Sequence, residues 1–221
     1  PWIIPADLVA GVLLFEISRV MNQEGYEGTM GHQHFMSIGD TALLVVDVQE
    51  KLVPKIHQNQ DLVRNIEFLI KVSKLLEVPA LGVEQYPKGL GHTVEPIRSM
   101  FEHFGEKKAF SAVREGLVLE KLEVDARIKV IVVGIETHIC VQQTVQDLLN
   151  RGFHVFVPVD GVSSRYVNDT EVALRRMENA GAILTTVEAC AFELMGTADH
   201  PAFREISSLV VERSKLLNPQ F

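Results

Sequence analysis

Lys129-Val-Ile-Val-Val-Gly-Ile-Glu-Thr-His-Ile-Cys-Val-Gln-Gln-Thr144 decides how this chain folds. Its apolar run, Val130 to Val133, has the pattern of a strand buried on both faces of a parallel sheet. Gly134 ends the run, and Cys140 then opens a helix read over Val141 to Asn150. A strand, a tight turn and a helix start make a place where a nucleophile can be activated. Free amides and the positive end of the helix dipole stabilise negative charge there, so a thiol is expected to ionise more easily than in bulk water.

Working outward, the same grammar repeats on both sides. Ala42 to Val46 is a second continuous apolar run, ending in Asp47. An amphipathic helix follows over Asp61 to Glu77, with Leu62, Ile66, Leu69, Val72 and Leu76 along its apolar stripe. Pro79 to Val83 reads as a strand, and its loop, Glu84 to Thr93, carries glycines and an aromatic in the manner of a binding loop. A helical segment over Glu95 to Phe104 leads to an extended piece, Lys107 to Ser111, and a helix over Gly116 to Leu122. Beyond Cys140 come a strand over His154 to Val159, a helix over Asn168 to Ala180 and a strand over Ile183 to Thr185. Helices over Ala189 to Met195 and Ala202 to Leu216 close the chain. Alternating strands and helices specify an α/β fold, a doubly wound parallel sheet with helices on both faces.

Composition narrows the function. At 221 residues and 47% apolar content the chain can bury a substantial core. Residues 36–221 read as one domain, and residues 1–35 as an N-terminal extension of a short helix, Leu8 to Phe15, plus a linker. The net charge of −8 and a pI near 5.5 argue against nucleic acid or an anionic membrane as partner. No stretch reaches the ~20 apolar residues of a membrane span. The two cysteines make neither a disulfide framework nor a metal knuckle, which suits a reducing, cytoplasmic setting. His32 and His34 lie in the linker and read as solvated, so no metal site is expected.

In a doubly wound sheet of order 3-2-1-4-5-6, ligands bind where the first and fourth strands part, beyond their carboxyl ends. Asp47 ends the first strand and Cys140 follows the fourth, so both face that crevice. Lys107 sits at the third strand, two strand spacings of ~4.8 Å away, a gap its stem can cover. A free thiol with a pKa of ~8.5 is only a few per cent thiolate at neutral pH, so a nucleophilic Cys140 needs a base. Asp47 is the candidate base, and Lys107 stabilises both anions. Backbone amides in the Ile135 to Cys140 turn are placed for an oxyanion. His138 lies two residues from Cys140 and points to another face, so a Cys–His dyad is not expected. Cys190 reads as buried filler.

Leu43-Leu-Val-Val-Asp-Val-Gln49, Lys107-Lys-Ala-Phe-Ser-Ala112, Gly134-Ile-Glu-Thr-His-Ile-Cys-Val141 and Val159-Asp-Gly-Val-Ser-Ser-Arg165 together resemble the isochorismatase-like cysteine hydrolases. The loop Glu84-Gln-Tyr-Pro-Lys-Gly-Leu-Gly91 looks most like the isochorismatase domain-containing protein subgroup. The resemblance implies a six-stranded sheet and an Asp47–Lys107–Cys140 triad, with Lys107 selected over Lys108 by the Lys-x-x-Phe-Ser pattern. It also implies a cis peptide between Ile135 and Glu136, and an oxyanion hole from the amides of Glu136 and Cys140. The nicotinamidases of that superfamily carry an Asp-x-His metal motif where this chain reads Glu-Gln-Tyr-Pro, and isochorismatase proper has glycine in place of the cysteine.

The expectation is therefore a cysteine hydrolase cleaving a C–N bond of a small amide or carbamoyl compound through an acyl-enzyme on Cys140, without cofactor or metal. Tyr86, Leu90, Phe110 and Ile139 are expected to wall the substrate pocket. A nicotinamidase-like amidase and a non-catalytic protein-interaction module on the same fold are the alternatives. Relatives implied by the resemblance commonly self-associate, so a homo-oligomer is expected.

Overall fold

The computed structural model describes residues 35–217. The expected helix and linker, and His32 and His34, lie outside the described residues.

Six parallel strands form one sheet in the order β3-β2-β1-β4-β5-β6: β1 Thr41–Val46, β2 Ala80–Gln85, β3 Gly105–Lys107, β4 Lys129–Gly134, β5 His154–Pro158 and β6 Ile183–Thr185. β1 and β4 are neighbours over their whole length, from Thr41 opposite Lys129 to Val46 opposite Gly134. Every residue of both strands is buried, because each strand is covered twice. Leu43, Val45, Ile131 and Val133 point into one apolar layer beneath α1 (Asn59–Leu75). Leu44, Val46, Val130 and Val132 point into the other, beneath α2 (Leu117–Val124), α3 (Gln142–Asn150) and α4 (Val167–Asn179). The period-2 alternation of a strand thus splits one apolar run between two cores. Two further helices, α5 (Val187–Met195) and α6 (Phe203–Leu217), complete the first layer with Leu194 and Ile206.

Several local expectations are corrected. Residues 95–104 hold only a 3-10 turn, Arg98–Met100, with a cis Glu95–Pro96 bond just before it. A proline fixes its own φ and offers no N–H, and Pro96 stands at the start of the segment expected to be helical. β3 occupies Gly105–Lys107, ahead of the extended piece expected over Lys107 to Ser111. The loop after β2 contains a single helical turn, Pro87–Leu90.

Gly134 is where the fold turns into the site. Its φ of 123° is open to glycine, and a Cβ there would collide with the carbonyl oxygen of Val46. Its amide donates to Gly161 O at 2.9 Å, and the next amide, Ile135, donates to Val46 O at 2.9 Å. The chain leaving β4 is thereby stitched to β1 on one side and to the loop after β5 on the other.

Candidate active site

Asp47 follows the last residue of β1 with a φ of 55° and is completely buried. Lys107 ends β3 and is buried as well. Its Nζ donates to Asp47 Oδ2 at 2.7 Å, to Gln85 Oε1 at 2.7 Å and to Phe110 O at 3.0 Å. Two strand spacings separate β3 from β1, and the lysine side chain spans them to reach Asp47. A charged pair in this setting is favoured when its remaining valences are met, and the ammonium side of the pair meets its own.

Cys140 lies in a π-helical turn, Thr137–Val141, that joins β4 to α3, and it is 7% exposed. The expected α-helix therefore starts two residues after the cysteine, with Cys140 in a wider, underwound turn of the kind found at functional sites. Thr144 Oγ1 donates to Cys140 O at 2.7 Å and accepts from Ala112 N at 2.9 Å, so one buried threonine ties this turn to the segment after Lys107. The Ile135–Glu136 peptide is cis. Thr137 N donates to Ser163 O at 3.0 Å, and Glu136 Oε2 accepts from Arg165 N at 3.1 Å and Nε at 3.0 Å. The Val159 to Arg165 motif thus backs the turn that presents the cysteine.

His138 turns away from Cys140, as expected: its Nδ1 lies 3.0 Å from Ser164 Oγ and its Nε2 3.6 Å from Asp169. Cys190 is buried on α5 among apolar side chains. Asp160, after β5, accepts from Val187 N at 2.9 Å at the start of α5 and bridges Arg213 at 3.0 Å.

The electrostatics correct one expectation. Burial pushes the Cys140 thiol above its ordinary range, the Asp47 charge pushes it further, and Lys107 only partly opposes them. The helix-start argument predicts the opposite sign; it weighs a local dipole and omits desolvation, which dominates at this depth. Burial also raises the Asp47 carboxyl, against the Lys107 charge and a contact from the Cys140 thiol. Asp47 Oδ1 is otherwise without a hydrogen-bond partner among the described residues. Burial acts in the same direction on both acids, raising the thiol and the carboxyl alike. Before and after a proton moves from one to the other the site holds one anion and one ammonium. Net charge, and with it the burial penalty, stays nearly constant.

Of the expected pocket residues, Tyr86 and Phe110 each hydrogen-bond to Lys107 through the backbone. Tyr86 N donates to Lys107 O at 2.9 Å, and both aromatics are about half exposed. Leu90 belongs to the helical turn after Tyr86, its amide donating to Tyr86 O at 3.1 Å. Ile139 precedes Cys140 and packs partly against the α2–α4 core layer, which makes it more of a core residue than the others. Sequence reasoning missed Gln49, Gln85 and Glu84. Gln49 is completely buried; its Oε1 accepts from Gln85 N at 2.8 Å and its Nε2 donates to Gln85 O at 3.0 Å and Gly91 O at 2.6 Å. Glu84, also buried, accepts from Thr93 N at 2.6 Å and Thr93 Oγ1 at 2.8 Å and meets His92 Nδ1 at 3.0 Å. Together they fasten the Tyr86 to His92 loop at both ends. The only signal was a polar side chain at, or shortly after, the end of a strand. Among the described residues no group of three or more His, Cys, Asp or Glu side chains is arranged to hold a metal ion.

Comparison with known proteins gives the fold and the site their context. The isochorismatase domain is matched over residues 41–189. Isochorismatase domain-containing protein 2A of Mus musculus is 41% identical over 173 residues, 77% of this chain and 82% of that protein. The solved structure of MAR1 ribonuclease from Caenorhabditis elegans is 39% identical, with a TM-score of 0.75, covering 80% of this chain and 92% of that one. The YcaC gene product of Escherichia coli, described as an octameric hydrolase of unknown specificity, shares the fold at 20% identity and a TM-score of 0.74, covering 88% of this chain and 94% of that one.

Proposed function

The chain belongs to the isochorismatase family of hydrolases, and we propose that it cleaves the C–N bond of a small amide or carbamoyl compound through a covalent acyl-enzyme on Cys140. The observation that carries this reading is the buried Lys107–Asp47 pair at 2.7 Å, set against a thiol whose ionisation both groups perturb. A cysteine on a wholly structural site needs no such neighbours.

Each step conserves charge within the site. Asp47 takes the Cys140 proton as Sγ attacks the carbonyl carbon, and Lys107 holds the anion at either position. The tetrahedral oxyanion is stabilised by the amides of Glu136 and Cys140. On collapse the C–N bond breaks, Asp47 gives its proton to the leaving amine, and a thioester remains. Water then attacks the thioester carbonyl and gives a proton to Asp47. The acid product leaves, and the proton returns to the Cys140 thiolate. Tyr86 and Phe110 supply apolar wall at the mouth. The reaction as written uses no cofactor.

A specific observation favours a second reading: the ribonuclease named for the Caenorhabditis elegans structure. For this chain a net charge of −8 opposes a polyanionic substrate, because phosphate binding draws on a basic surface. We favour the amide reading on that ground. The test is intact-mass spectrometry of the wild-type chain and Cys140→Ala with a panel of small neutral and carboxylated amides, alongside RNA. A transient acyl adduct on Cys140 with one amide class supports the proposal. RNA cleavage that persists in Cys140→Ala, with no adduct from any amide, refutes it; binding to a protein without either chemistry returns the interaction-module reading.

Self-association is proposed from the octameric relative and is checked by light scattering. Both cysteines are free thiols, which suits a reducing compartment such as the cytoplasm. Among the described residues no helix is long and apolar enough to cross a membrane.

A further inference from the structure

An ammonium group offers three protons in directions that rotation about its last bond leaves free, so a lysine in a site is only as well aimed as its acceptors. At Lys107 one close acceptor is the Asp47 carboxylate, one is the Phe110 carbonyl, with the Ala109 carbonyl more distant at 3.4 Å, and the remaining close one is a side chain that the motifs do not assign. Gln85 ends β2 and is the register partner of Lys107 on β3. Its Oε1 accepts from Nζ at 2.7 Å, as short as the bond to Asp47. Its Nε2 donates to Lys108 O at 2.7 Å. That second bond fixes which end of the carboxamide faces the lysine: with Nε2 committed, only the oxygen is presented.

The backbone of Gln85 is held as firmly. Gln49, two residues after Asp47, clamps it at both its amide and its carbonyl. A closed circuit results, from Asp47 along the chain to Gln49, across to Gln85, through its side chain to Lys107 and back to Asp47. Strand pairing alone would place the Lys107 backbone. The circuit places its charge.

We propose that Gln85 is a positioning residue, which orients the Lys107 ammonium so that its charge is shared between Asp47 and Cys140. The inference rests on reading Asp47, Lys107 and Cys140 as one chemical unit. A neutral acceptor suits this role. Glutamate at the same place would supply Lys107 with a second anion and draw its charge away from the thiolate, while an apolar residue would leave that ammonium proton only the long Ala109 carbonyl contact at 3.4 Å and let the lysine turn.

The test reads Cys140 alkylation by iodoacetamide across pH 6–11 by mass spectrometry in wild type, Gln85→Glu, Gln85→Met and Lys107→Met, with Cys190 as internal control for intactness. In Gln85→Glu the Cys140 profile is expected to move to higher pH, so that the rate below the midpoint falls by about tenfold for each unit of displacement. Gln85→Met is expected to move it the same way by less, with Cys190 unreactive in both. If Lys107→Met moves the profile and neither Gln85 variant does, the positioning role is refuted and the unit survives. If Lys107→Met also leaves it unmoved, the unit itself fails. If Cys190 becomes reactive in both Gln85 variants, the residue serves the fold rather than the placement of charge, and the proposal is overturned.

Discussion

Lys107→Met removes the cation from a pair that is almost wholly excluded from water, with side-chain exposures of 2% for Lys107 and 0% for Asp47. The methionine keeps most of the stem's volume, so packing changes little and the electrostatic effect dominates. Four acceptors lose their donor, and Asp47 is left as an uncompensated buried carboxylate. Breaking one side of such a pair costs about 3–5 kcal/mol. For a domain of about 150–250 residues each kcal/mol moves the melting temperature by about 2–4 °C, so a fall of roughly 6–20 °C is expected at neutral pH. The deficit also has a pH signature. The Asp47 carboxyl is already raised in the native chain and rises further once Lys107 is gone. A folded-state pKa above the unfolded one means that the folded chain binds the proton more tightly. The associated stability is then fully present below the unfolded value of 3.8 and is lost as pH rises through the folded value. Melting curves of Lys107→Met should therefore approach wild type near pH 4–5 and diverge from it towards pH 8. Asp47→Asn combined with Lys107→Met removes the stranded charge and should melt above Lys107→Met at pH 8, with a flatter pH dependence. A single variant within about 1 kcal/mol of wild type at every pH, and no recovery in the double variant, would refute the buried ion pair.

Other perturbations follow from the same geometry. Gly134→Ala puts a methyl group into the Val46 carbonyl and forces a φ that alanine avoids; loss of soluble folded protein, or a cost beyond about 3 kcal/mol in urea denaturation, is expected. Leu44→Ala empties a completely buried position between β1 and the α2–α4 layer and should cost about 2–5 kcal/mol, measured as a shift in urea midpoint at constant slope. Arg165→Ala frees Glu136 on one side of the cysteine turn, an ion pair that is partly exposed. It should leave the urea midpoint within about 1 kcal/mol of wild type while lowering any Cys140-dependent turnover by tenfold or more.

The fold was legible because its central strands carry their own evidence. Ala42 to Val46 and Val130 to Val133 are apolar on consecutive positions, β-branched-rich and short, a pattern that suits a twice-covered parallel strand. The stripe of α1 was equally plain, for Leu62, Ile66, Leu69 and Val72 are all buried. Strand order then brings Asp47, Lys107 and Cys140 to one crevice, a consequence of topology rather than of any local motif. Residues 95–104 were expected to be helical but hold only a 3-10 turn, Arg98–Met100. The sign of the Cys140 shift was misread for a deeper reason: a helix start is visible in sequence, whereas the depth of a thiol and its distance from a carboxylate belong to the assembled sheet. Gln49 and Gln85 were invisible for the same cause. A glutamine in sequence names no partner, and its partners here are fixed by the β1–β2–β3 register.

The central claim is that Asp47, Lys107 and Cys140 form one titrating unit. The pH profile of Cys140 alkylation in wild type, Asp47→Asn and Lys107→Met tests it most directly. Because the Asp47 charge raises the thiol and the Lys107 charge lowers it, the account expects Asp47→Asn to react at lower pH than wild type and Lys107→Met at higher pH. Coincident profiles in all three, or shifts in the reverse order, would contradict it.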